Sequence, residues 1–374
     1  MRNVAVLGTG LHRFGRFPDK SVEELGREAI AGALEQANMP FPKIEAAWTG
    51  RVLQGMGAGL RVVSEMGVTG IPVTNIEQAC ASSTTAIREA AWAVASGLYD
   101  RVLVVGFEKM QRGLLQISEK QSYATVMGLA VMPAAYALGT TRYMYDHGAT
   151  PEMFAQVSVK SHRNGALNPY AQYQQAVTLE EVLQSRMIAD PITLLQCSPT
   201  TDGAAAVVLC AEEQAAQYTS EWTTLAGWAA GTGAYEADGE DGGELNNHAL
   251  ALLAKQAYER AGLGPEDVDV TQVHDAFAPG EVFAIEALGL TATGSGARAV
   301  WEGRTEISGD IPVNTDGGLL SRGHPIGATG CAMVAEIQAQ LLGRAGARQV
   351  AGDPRVGLVY NAGIGGMNVM LFKR

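Results

Sequence analysis

The chain has 374 residues, 47% hydrophobic and 18% charged; at that length a single core stops growing, so two structural units are expected. Its formal net charge of −12 argues against a nucleic-acid binder and leaves any polyphosphate ligand to a few local basic groups. The four cysteines, Cys80, Cys197, Cys210 and Cys331, show neither disulfide nor metal-ligand spacing.

Asn3 to Leu7 reads as a strand, with no signal sequence ahead of it. Helical apolar spacing from Val22 to Ala37 stops at Asn38-Met39-Pro40, and Ala46 to Thr49 is strand-like. Val73 to Asn75 leads through a loop into a small-residue helix, Ser82 to Ser96, and then a strand, Arg101 to Val105. From about 107 to 200 the rhythm breaks. That insertion is too long for a structureless loop and reads as a mostly helical cap over a site. The longest apolar stretch, Gly128 to Gly139, is interrupted by Pro133 and falls short of the ~20 residues that span a bilayer. A buried strand resumes after Thr201, followed by a helix (Asn247 to Ala261) and a strand (Val270 to Val273). Val313-Asn314 then leads through a glycine-rich loop into a helix (Ala328 to Leu342) and a strand (Val356 to Tyr360). The last residues carry no peroxisomal tripeptide, and a cytoplasmic location is expected.

The two ends of the chain repeat one pattern. A constant offset lays Ala33, Glu35, Ala37, Ile44 and Glu45 on Ala257, Glu259, Ala261, Val268 and Asp269. The loop–helix–strand segments after Val73 and Val313 correspond in looser register. A duplicated βαβ pattern implies a layered α/β fold, with halves at 1–215 (carrying the insertion) and 216–374.

Four segments carry chemistry. Cys80 precedes a helix for which Ser82 or Ser83 is a natural N-cap, and a helix start favours thiolate. The local pattern fits a small hydrophobe in a core turn equally well. His324 lies among Gly323, Gly327 and Gly330, where an imidazole can approach a substrate and carry a proton. His274-Asp275 ends a strand, where α/β folds gather ligands, and Asp275 also suits an N-cap. The glycine-rich turn after Tyr360-Asn361, with Gly363, Gly365 and Gly366, can point backbone N–H groups at an oxyanion or simply join two strands.

Together these segments resemble the thiolases, most closely the sterol-carrier-protein and lipid-transfer type and its archaeal relatives. The resemblance runs the length of the chain, through His12 to Phe17, Lys160 to Pro169 and Cys197 to Gly203. It implies a five-layer α/β/α/β/α fold built from two similar halves with a helical cap. It further implies Cys80 as acylated nucleophile, His324 as its activator and His274 in one oxyanion hole. The N–H groups of Cys80 and of Gly365 or Gly366 would form the other. The implied reaction cleaves a 3-ketoacyl-CoA, as in β-oxidation and other lipid metabolism, with coenzyme A as cosubstrate and no metal or other cofactor.

The second cysteine of the family is absent: Asn361 and Ala276 stand at its two usual places. His274, Tyr360, Asn361 as part of that turn, or a water would have to replace it in acid–base work. Some relatives of this branch act with a small OB-fold, zinc-ribbon subunit on compounds such as benzoylsuccinyl-CoA, or as retro-aldolases. A homodimer or higher assembly is also implied, with no nucleic-acid partner and no membrane span. The alternatives are a retro-aldol lyase acting on a hydroxyacyl-CoA and a non-catalytic acyl-CoA- or lipid-binding subunit. Dinucleotide binding is excluded because Arg13 replaces the third glycine after Gly8-Thr9-Gly10, and no serine-hydrolase elbow occurs.

Overall fold

The computed structural model describes residues 1–111, 113, 126, 131–232, 247–364 and 366–374. In the first half, β1 (Val4–Leu11), α1 (Val22–Gln36), β2 (Ala46–Gly50), α2 (Ala58–Ser64), β3 (Val73–Ile76), α3 (Ser82–Ala95) and β4 (Arg101–Glu108) follow in order. The insertion then supplies α4 (Met132–His147), α5 (Pro151–Ala166), α6 (Leu179–Gln184) and a hairpin of β5 (Met187–Ala189) and β6 (Ile192–Thr193). β7 (Gly203–Ala211) and α7 (Glu212–Ala215) close the half. The second half comprises β8 (Thr223–Gly231), α8 (Asn247–Ala261), β9 (Val270–Gln272), α9 (Pro279–Ala287), α10 (Gly296–Trp301), α11 (Gly318–Ser321), α12 (Thr329–Leu341), β10 (Val356–Gly363) and β11 (Gly366–Lys373).

Among the described residues nine strands form one sheet, in the order β3-β2-β4-β7-β1-β8-β11-β10-β9. The duplication is visible in it. Val313 bridges Thr271 in parallel, so each half runs from a parallel outer segment, inward through two strands, to an antiparallel partner and its own first strand. The two first strands, β1 and β8, meet antiparallel at Ala5–Thr224 and Val6–Thr223, which joins the half-sheets into one.

Strand residues alternate between layers as a period of two demands. Val102, Val104, Val207 and Leu209 face α3 and α12, together with Val359, Met370 and Phe372 of the other half-sheet. Leu103, Val105, Ala206 and Val208 face α1 instead. Leu358, Val369 and Leu371 face α8 and α9. The order is therefore outer helices, half-sheet, α3 with α12, half-sheet, outer helices: five layers. Close approach in the middle layer requires Gly330, where an added Cβ would stand 2.5 Å from both Thr84 Cγ2 and Thr84 N.

The insertion is mostly helical where described, and its α5 is buried against the second half. Lys160 of α5 is 1% exposed; its Nζ meets Glu281 Oε1 at 2.5 Å and donates to Val313 O at 2.9 Å. Burial raises the Glu281 carboxyl above its usual range, opposed by Lys160. Lys160→Met is expected to cost about 3–5 kcal/mol in denaturant unfolding, because it strands a buried carboxylate. Lys160→Met combined with Glu281→Leu should recover most of that loss.

Candidate active site

Two turns of unusual geometry deliver the reactive groups. Before α3 the backbone kinks at Ala79, whose φ of 45° lies in the left-handed region. This sets Cys80 two residues ahead of the helix. Ser82 and Ser83 are not N-caps; the cap position is Ala81 and carries no side-chain bond. Ser82 Oγ instead donates to Ala79 O at 2.6 Å and accepts from Gln78 N at 2.9 Å, closing the kinked loop on itself. Ser83 Oγ accepts from Cys331 N of α12 at 3.1 Å. At the second turn Gly323 has a φ of 110°, and His324 N donates to Thr201 Oγ1 at 3.0 Å.

The fold brings Cys80, His274 and His324 together: their sulfur and ring-nitrogen atoms lie within 4.8 Å of one another. The two imidazoles meet edge to face, 5.3 Å between centroids. All three line a cleft whose other walls include Met110, Met132, Pro133, Ala276 and Phe277.

Neighbours fix each imidazole's proton. Thr329 Oγ1 donates to Pro325 O at 3.1 Å and stands 2.7 Å from His324 Nδ1. It therefore accepts from Nδ1–H and leaves Nε2 as a bare base. His274 is the converse. Asn361 Nδ2 donates to its Nδ1 at 2.9 Å, leaving Nε2–H as a donor. Thr84 Oγ1 lies 2.9 Å from both Asn361 Oδ1 and Ala81 O and shares its one proton between them, and Asn368 Nδ2 donates to that same hydroxyl at 3.2 Å. Burial pushes His274 down to about 3, and the Arg322 charge adds to this. His324 falls well below its ordinary value through burial, His274 and Arg322. Cys80 is half-buried as a residue, but its thiol is pushed up to about 12, mainly by burial. At rest the site holds a thiol and two neutral imidazoles; the helix start does not outweigh desolvation.

The remaining predicted residues fall behind or beside the cleft. Asn361 lies behind His274 and positions it; an amide does not titrate. Tyr360 alternates with Asn361 on β10 and packs on the α8–α9 side. Gly366 packs against Gln78: an added Cβ would stand 2.1 Å from its Nε2. Gly365 lies outside the described residues. Asp275 is not the N-cap of α9, whose cap is Ala278. Its Oδ1 accepts from Leu319 N at 2.7 Å and so caps α11 from another segment. Burial raises its carboxyl to about 7, with Glu281 adding to the effect.

Sequence reasoning missed Thr329 and Thr84 as positioning residues. Thr329 sat in the glycine–histidine motif, one helical turn past Pro325, and its hydroxyl spacing was a usable signal. Nothing local marked Thr84.

Residues 4–213 match the family model described as thiolase, N-terminal domain, and residues 231–371 match thiolase C-terminal domain-like. The acetyl-CoA acetyltransferase of Methanothermobacter thermautotrophicus is 40% identical over 97% of each chain. The benzoylsuccinyl-CoA thiolase subunit BbsB of Thauera aromatica is 36% identical, over 97% of this chain and 95% of that one. Sterol carrier protein 2 of Gallus gallus is 36% identical over 99% of this chain and 71% of its own length. Among solved structures, the Ltp2–ChsH2(DUF35) aldolase superposes with a TM-score of 0.87 at 25% identity, covering 99% of this chain and 97% of that one.

Proposed function

Because the chain belongs to the thiolase family, we propose that it cleaves a 3-ketoacyl-CoA by transferring the acyl group to Cys80 and then to coenzyme A. The observation carrying this reading is the meeting of one thiol and two oppositely polarised imidazoles at the cleft. His324 Nε2 takes the Cys80 proton as the sulfur attacks the keto carbon. His274 Nε2–H donates to a substrate oxygen that gains negative charge. The N–H groups of Cys80 and of Gly365 or Gly366 are proposed for the second oxyanion hole. Their support is that an added Cβ on Gly363, in the same turn, would stand 3.0 Å from Cys80 N. Coenzyme A is the proposed cosubstrate, and no step calls for a metal.

The largely apolar cleft suits an acyl chain or an aryl-substituted acyl group, including the benzoylsuccinyl class named for the Thauera relative. A small OB-fold, zinc-ribbon partner is proposed as well. Its support is that BbsB is a subunit and that the aldolase structure pairs its thiolase-like chain with a DUF35 protein. A homodimer is proposed through β3, which forms one edge of the sheet. No helix among the described residues is long and apolar enough to cross a membrane, and a cytoplasmic location is proposed.

The test is intact-protein mass after incubation with acetyl-CoA or acetoacetyl-CoA. An acyl mass gain that is absent in Cys80→Ala is expected; no gain on the native chain would overturn the reading. The aldolase likeness favours a second reading, retro-aldol cleavage of a hydroxyacyl-CoA, in which no acyl-enzyme forms. Asn361→Asp is expected to lower kcat about 10²–10³-fold in steady-state assays. The new carboxylate accepts from His274 Nδ1–H, which moves the proton off Nε2 and removes the oxyanion donor.

A further inference from the structure

The thiolase reading, on which this inference rests, needs a group to protonate the departing carbon and to take the proton of the incoming thiol. Asn361, His274, Tyr360 and Cys197 do not supply one. Asn361 does not titrate, His274 is held as a donor, and Tyr360 feels the charge of Tyr136 but not that of Cys80. The Cys197 thiol is committed elsewhere, donating to Thr193 O at 3.4 Å.

The insertion places a phenol beside the site. Met132 and Pro133 at the start of α4 line the cleft, and Tyr136 follows them by one helical turn on the same face. Its ring packs on cleft-lining Phe277, 4.7 Å between centroids. At Gly280 an added Cβ would meet His274 O at 3.0 Å, Tyr136 Cε1 at 3.5 Å and Asp275 Cα at 3.7 Å. The phenol ring and the His274–Asp275 backbone thus converge on one point.

We propose that Tyr136 is the acid–base catalytic residue for carbon–carbon bond cleavage at the Cys80 site. When the C2–C3 bond breaks, its electron pair stays on C2 of the departing acyl-CoA, and the Tyr136 hydroxyl proton goes to that carbon. The tyrosinate then takes the proton of the incoming CoA thiol, whose sulfur attacks the acyl-Cys80 carbonyl. The C–S bond to Cys80 breaks, and the released thiolate regains its proton from the His324 imidazolium. Burial holds the phenol above its usual range, and ionised Cys80 or Asp275 would add to this, so the resting group keeps its proton. A phenolate formed there is correspondingly eager to take one back.

Tyr136→Phe removes one oxygen and keeps the packing on Phe277. The test follows acylation of Cys80 by acetyl-CoA in parallel with exchange of the acetyl-CoA methyl hydrogens in deuterated water and cleavage of acetoacetyl-CoA. In Tyr136→Phe the end-point acyl mass gain is expected to persist, reached more slowly because CoA departure reverses the thiolysis step, while exchange and cleavage fall about 10²–10⁴-fold. Unchanged exchange and cleavage overturn the assignment, as does loss of acylation together with them, which marks a structural role. Absence of acylation in the native chain overturns the thiolase reading and this inference with it.

Discussion

Cys80→Ala is expected to lower thiolytic turnover by at least ~10⁴-fold, with no change in cooperative unfolding. The size of the loss follows from the site. The cleft walls carry mostly apolar side chains, and the cleft-lining hydroxyls, Ser198 and Thr200, lie on a separate segment from the Cys80 loop. Losing an oxyanion donor leaves the covalent route intact and costs only ~10²–10³; losing the sulfur removes the route. The fold should be indifferent. The loop is held by Ser82 Oγ on Ala79 O and by Gly363 against the Gln78–Ala81 backbone, and neither contact involves the thiol. Steady-state thiolysis alongside a denaturant melt separates the two effects. Carbon–carbon cleavage that survives Cys80→Ala would establish the retro-aldol reading instead.

The sequence disclosed what is local and repeated. The offset that laid Ala257 on Ala33 marked two copies of one unit, and the copies recur as the two halves of one sheet. Cys80 and His324 stood out because glycines and small residues crowd them. The joining of the half-sheets through two residue pairs of β1 and β8 left no trace in the pattern, since it depends on how the finished halves dock. The same holds for the proton assignments. Asn361 and Thr84 are 277 positions apart, and only the packing of β10 on α3 makes them partners. Ser82 was misjudged because a serine at a helix start suits both an N-cap and a loop clasp; the kink at Ala79 decides for the clasp. The buried Lys160–Glu281 pair was invisible, since a lysine on a helix is ordinarily a solvated one.

His324→Ala is expected to suppress acylation of Cys80 by about 10³–10⁴-fold, and His274→Ala to reduce it only ~10²–10³-fold. The asymmetry rests on hydrogen-bond partners rather than on distance, because both rings reach the sulfur. Thr329 turns the lone pair of His324 toward the cleft, and Asn361 turns the N–H of His274 toward it. With the thiol pushed up to about 12, attack at neutral pH needs a base to take the proton in the transition state. Of the two imidazoles only His324 offers a free lone pair there. The pH dependence follows with a definite sign. The active form of His324 is neutral, and its pKa is lowered, so the base persists as pH falls through the ordinary imidazole range. The single-turnover acylation rate should stay flat between about pH 6 and 8. A rate falling with a midpoint near an unperturbed imidazole would show an exposed histidine acting as the base. Near-normal acylation in His324→Ala would show that the sulfur gives up its proton elsewhere, and the division of labour between the two rings would have to be abandoned.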